Sequence, residues 1–112
     1  MSTYTGTFDN KNWYRVFKDG KLFNHNRSYK YITHSPDGFS WGYMGSGPSQ
    51  LAFGLLLDAT DDPKYCMKAY QDFKFEVVSR WPVEGRWSIT TEQIMEWITE
   101  YAAEYGFPKA KK

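Results

Sequence analysis

Trp13-Tyr14-Arg15-Val16-Phe17-Lys18-Asp19-Gly20-Lys21-Leu22-Phe23 holds two short runs of aromatic, β-branched and basic residues joined by Asp-Gly. Asp-Gly between two such runs marks a two-residue hairpin turn, because both central positions need a positive φ. Upstream, Tyr4, Gly6 and Phe8 alternate with Thr5 and Thr7, the period-2 pattern of a half-buried strand. Downstream, Tyr29, Tyr31 and Thr33 continue the alternation and predict a further strand over residues 28–33. The first third of the chain therefore reads as antiparallel sheet.

The remainder reads as helix. Between residues 34 and 50 the chain is rich in Gly, Ser and Pro, and Ser35-Pro36-Asp37-Gly38 fits a β-turn. Gly45-Ser46-Gly47-Pro48 then opens a helix to about residue 58, with Pro48 near its first position. Leu51, Ala52, Phe53, Leu55, Leu56 and Leu57 make that helix apolar almost all round, so it belongs in the centre of the molecule. Asp61-Asp62-Pro63 opens a second helix whose stripe, Cys66, Tyr70, Phe73, Val77 and Trp81, runs up to Pro82. A third begins at Thr90, which with Gln93 forms a capping box and whose neighbours Ile89 and Ile94 form a hydrophobic staple. Its apolar face is Ile94, Trp97, Ile98, Tyr101, Ala102 and Tyr105, and Gly106 and Pro108 stop it. The expected architecture is α+β: an N-terminal antiparallel sheet packed against three C-terminal helices, one domain over residues 1–108 with a basic tail over 109–112.

Composition limits what such a domain can be. The 112 residues suffice for one core, not two. Fourteen Lys and Arg against thirteen Asp and Glu argue against an acidic tail or a polycation. Leu, Ile, Val and Phe are scarce, whereas one residue in five is aromatic, so rings must fill the core. The single cysteine, Cys66, excludes an intramolecular disulfide and a cysteine-based zinc site, and reads best as a small buried hydrophobe. The start shows no signal-peptide pattern, and the apolar run from Leu51 to Leu57 is far too short to span a bilayer. A cytoplasmic protein, in a bacterial or phage-infected cell, with no membrane contact and no cofactor is the expectation.

The stretch from His34 to Ala52, HSPDGFSWGYMGSGPSQLA, resembles a domain family of small proteins found in bacteria, mobile elements and phages, whose pattern is HSPxGFxWGYxGSGPxQLA. Tyr70-Gln71-Asp72-Phe73-Lys74 is similar to the family's later YQxFK block, and Tyr4-x-Gly6, Trp87 and the Thr90-capped helix also match. The resemblance covers most of the chain. It implies no activity and no ligand set; by association it suggests a phage or mobile-element accessory protein that binds a host protein, with inhibition of host defence as the role it points to.

Three groups of residues are candidates for function. Ser46, Gly47, Ser49 and Gln50 lie at a helix start, where outward N–H groups can hold a nucleotide phosphate or another anion; equally, the glycines permit tight packing and Ser46 or Gly47 merely caps the helix. Neither a Walker A loop nor a Rossmann fingerprint is present. His34, Ser35 and Asp37 have hydrolase residue types, yet neighbours along one turn seldom reach triad geometry, and Asp37 fits a turn role. Catalysis and a metal site are therefore not the expectation. Trp41 and Tyr43, flanked by glycines, either plug the core or line a recognition site. Residues 1–56 also carry a balance of +3 against −2 for residues 57–112. Lys11, Arg15, Lys18, Lys21, Arg27 and Lys30, interleaved with rings, could follow a nucleic-acid backbone, unless alternation buries half of those rings. Together these features point to a small non-catalytic binding protein, with a small-ligand binder as the alternative and a hydrolase using His34 behind both.

Overall fold

The computed structural model describes residues 2–11, 13–35 and 38–107. Strands β1 (Thr3–Asp9) and β2 (Trp13–Lys18) pair antiparallel, with Gly6 opposite Val16, and β2 turns through Asp19-Gly20 into the two-residue strand β3 (Lys21–Leu22). Asp19 and Gly20 have φ of 52° and 83°, as the Asp-Gly hairpin requires. The sheet order is β3-β2-β1-β4, and β4 (Trp87–Thr90) comes from the far end of the sequence. Its alternation is only four residues long, too short to separate from the loop before the third predicted helix.

The α+β architecture holds, with four α-helices among the described residues: α1 (Asn26–Tyr29), α2 (Ser46–Thr60), α3 (Pro63–Glu76) and α4 (Thr91–Tyr105). The strand predicted over residues 28–33 is not formed. That segment is the one-turn helix α1 followed by turns, with Tyr31 N and Ile32 N both donating to the Ser28 carbonyl (3.0 Å each). Ser28 and Ile32, four apart, are the buried pair, so helical spacing prevailed over the alternation of Tyr29, Tyr31 and Thr33. The second predicted helix is also shorter. α3 stops at Glu76, a 3₁₀ turn covers Val78–Arg80, and Trp81 is extended with φ −72° and ψ 154°, the conformation favoured before proline. The Thr90–Gln93 capping box is present at 3.1 and 2.9 Å, and Gly106 at φ 96° closes α4.

α2 has no solvent face along most of its length: every residue from Gly47 to Leu57 is buried. The inner sheet face (Tyr4, Val16, Trp87, Ile89) shares its hydrophobic core, as do residues of α3 and α4. At its C-terminal end Asp58 accepts a hydrogen bond from the buried Tyr4 hydroxyl and an ion pair from Lys18 (2.8 Å), while Arg27 bonds Asp61. Burial and the Asp58 carboxylate push the Tyr4 phenol well above its ordinary value, so it remains a donor. These bonds clip β1, β2 and the α1 turn to one end of α2.

Gly6 is fixed by close approach. The Trp87 indole lies directly over it, and a Cβ there would overlap the ring. Gly6→Ala is expected to destabilise the protein by about 1–3 kcal/mol through overpacking, measured by urea denaturation. Burial also pushes the Cys66 thiol up to about 11. The unfolded thiol ionises near 9, so above that pH the unfolded chain binds fewer protons than the native one, and stability falls as pH rises. Between pH 8 and 10.5 Cys66→Ala should lose about 2 kcal/mol less stability than the wild type, the tyrosine contributions being common to both.

Candidate functional site

Six aromatic residues form one continuous chain from the surface into the core. Trp13 meets Phe8 edge-on (6.1 Å between centroids), Phe8 meets Tyr14 (4.7 Å), and Tyr14 meets Trp41 edge-on (4.8 Å). Trp41 then packs edge-on against Trp87 (5.4 Å), which stacks on Trp81 at 4.0 Å. Trp41 is 0% exposed, and its indole N–H donates to the Pro82 carbonyl (2.9 Å). It plugs the core, anchoring the Gly-rich segment from inside.

Tyr43 has the opposite placement. It is 46% exposed, its hydroxyl lies 2.9 Å from Ser40 Oγ, and its ring stands against Gly45. With Trp13, Tyr14, Phe39 and Ser40 it lines a cleft of about 590 Å³ between the start of β2 and the Gly-rich segment, Ser35 contributing one wall. Tyr14 and Phe39 also line a second groove of about 330 Å³ that continues past Val16 to Phe23, Asn24 and His25. The His25 Nδ1 is buried with no hydrogen-bond partner among the described residues. Burial and the nearby Tyr43 and Glu84 push the Tyr14 phenol upward, keeping it protonated and able to donate. The described lining of the larger cleft thus presents ring surface and hydroxyls, and no carboxylate.

Trp13 defines the rim. It is 67% exposed and sits in the left-handed region at φ 58°, which disfavours a bulky side chain by about 1–2 kcal/mol. A large ring is held out of the core on a strained backbone.

The other candidates named from sequence lie elsewhere. Gln50 is fully buried, and its carboxamide makes four hydrogen bonds: Oε1 accepts from His34 N (2.8 Å) and Ser35 N (3.3 Å), and Nε2 donates to Ser28 Oγ (2.8 Å) and the Ile32 carbonyl (3.1 Å). Ser49 Oγ donates to the Gly45 carbonyl (3.1 Å). Gly47 is pressed so closely on Ser40 that a Cβ would overlap Oγ, so this turn of α2 is covered by the chain itself. Ser46 alone of this group is exposed. The His34 ring is exposed with Nε2 2.7 Å from the Tyr70 hydroxyl, Ser35 is buried beside the cleft, and Asp37 lies outside the described residues. Of the six cations, Lys18 is paired with Asp58 and Arg27 with Asp61, Arg15 lies over the Phe17 ring (5.3 Å), and Lys11, Lys21 and Lys30 are exposed.

Phe39 and Ser40 were not singled out from sequence, and Trp13 and Tyr14 were read only as rings interleaved with the sheet cations. Only the fold brings the start of β2 against residues 38–43, and no local pattern in either segment announces the other.

The family model that matches residues 4–100 is DUF6166, described as a family of unknown function. The chain belongs to this family. No curated protein and no solved structure matches it. The Gly-rich segment that carried the resemblance is, in this DUF6166 chain, one wall of the cleft and the cover of α2.

Gln50→Leu leaves four buried or half-buried polar groups without their partner, each worth about 1–3 kcal/mol if unmet. We expect a loss of about 2–4 kcal/mol in urea denaturation. Unchanged stability would return Gln50 to the ligand-binding candidates.

Proposed function

We propose that this DUF6166 chain is a small non-catalytic binding protein whose contact site is the aromatic cleft, and that its partner is a protein of the host. The carrying observation is Trp13, a large ring held exposed in a left-handed conformation at the cleft rim. Strain retained at an exposed aromatic is the expected mark of a contact residue, because folding alone would remove it. Tyr43 on the facing wall supplies a second amphipathic ring with a fixed hydroxyl. Tyr and Trp together at the rim of a recess have the composition of an interface hot spot. The resemblance carried by the His34–Ala52 stretch suggests a phage or mobile-element protein, and on that reading the partner belongs to a host cell, with inhibition of a defence protein as the role that fits. No α-helix among the described residues is long and apolar enough to cross a membrane.

A small ligand at the α2 start has less support, since Ser40 and Tyr43 occupy the space over that turn.

Native mass spectrometry of protein purified gently from its own cells identifies the partner. Trp13→Asn keeps a residue that tolerates the left-handed region, and Tyr43→Ser keeps a hydroxyl. Each should weaken the complex by 1 kcal/mol or more, roughly fivefold or greater, with the thermal midpoint unchanged or raised for Trp13→Asn. Full affinity in both variants would place the contact elsewhere.

A further inference from the structure

A second surface shares no lining residue with the cleft. Helix α4 carries Glu92, Glu96, Glu100 and Glu104 at every fourth position and contains no Lys, Arg or His. Successive members of this stripe are about 6 Å apart along the helix. Like charges at i,i+4 destabilise a helix, and Glu104 sits in the last turn, where the helix dipole disfavours an anion.

Carboxylates alone would make an ordinary solvated face. This face also contains a groove of about 250 Å³ between α4 and α3, floored by rings. Trp97 stacks on Tyr101 (4.8 Å, 19° between planes), and Tyr101 meets Tyr105 at a tilt (4.5 Å, 34°). From the α3 side Asp72 accepts the Tyr101 hydroxyl (3.0 Å) and Glu76 the Trp97 indole N–H (2.9 Å). Glu100 and Glu104 form the opposite rim, and Tyr105 is half-exposed in the groove. Glu104 pushes the Tyr105 phenol upward, as burial and Asp72 do for Tyr101, in keeping with a strongly negative recess. The nearby Lys68 ammonium is spent on the Tyr105 carbonyl at the end of α4.

We propose that this groove and the glutamate stripe beside it form a docking surface for a lysine- or arginine-rich segment of a partner protein. Charge complementarity selects that occupant: two rows of carboxylates flank π-faces that attract ammonium and guanidinium groups, and the 6 Å spacing matches basic residues at i,i+4 of a helix. The repulsion within α4 is relieved when such a segment binds, which explains why the helix retains it.

The test uses the full chain with (Ala-Lys)6 and (Ala-Arg)6 peptides, and (Ala-Glu)6 as control, by isothermal titration at 50 and 200 mM salt. Both cationic peptides should bind, more weakly at the higher salt, and the acidic one should not. Glu100→Gln and Glu104→Gln should each weaken binding severalfold while holding or raising the thermal midpoint. Tyr105→Ser should weaken it at unchanged charge. Glu84→Gln, an equal charge change outside the groove, should leave it intact. No binding, or equal losses from Glu84→Gln and Glu100→Gln, would overturn the assignment. So would self-association in sedimentation that Glu100→Gln abolishes without peptide binding, because the occupant would then be a second copy.

Discussion

Everything in this structure is arranged around a helix that cannot face water. Burial of α2 from Gly47 to Leu57 leaves the rest of a 112-residue chain to cover it on all sides. Sheet, α3, α4 and the irregular segment before α2 all contribute to that cover. At about 25 cal/mol per Å² of apolar surface, burying a helix of leucines and phenylalanine is strongly stabilising, and its exposure would be correspondingly unfavourable. Polar anchors then set the register of the cover. Asp58 holds Tyr4 and Lys18 at one end, and the Gln50 carboxamide holds four groups of the 28–35 segment in the middle.

Aromatic packing does the remaining work, and it also generates the recognition surface. The chain from the half-buried Trp81 through the buried Trp87 and Trp41, then Tyr14 and Phe8, reaches the exposed Trp13 without a break. Its inner members are immobilised by neighbours and by the Trp41–Pro82 bond. Its outer members are therefore pre-positioned, which lowers the ordering entropy a partner would otherwise have to overcome. The bond between Ser40 and Tyr43 treats the facing wall in the same way. The two candidate surfaces differ in kind: the cleft is built of rings and hydroxyls, the α3–α4 groove of rings and carboxylates. Contact at the first should respond little to salt and contact at the second strongly.

Local chemistry determined a good deal in advance. The Asp19-Gly20 turn, the Thr90–Gln93 capping box, the buried character of α2 and the α+β class follow from residue type and spacing over a few positions, and neighbours in sequence suffice to impose them. Tertiary structure decided the rest. It made residues 28–33 a turn, because Gln50 and α2 offered partners that a strand could not use. It ended α3 early and turned Trp81 onto Trp87, and it placed β4 beside β1 across more than eighty residues of sequence. It also sorted Trp41 from Tyr43, two aromatics two residues apart in one glycine-rich stretch, into a core plug and a cleft wall. Burial is a property of what surrounds a side chain. For rings that suit either environment, the surroundings come from distant segments, and no local pattern contains them.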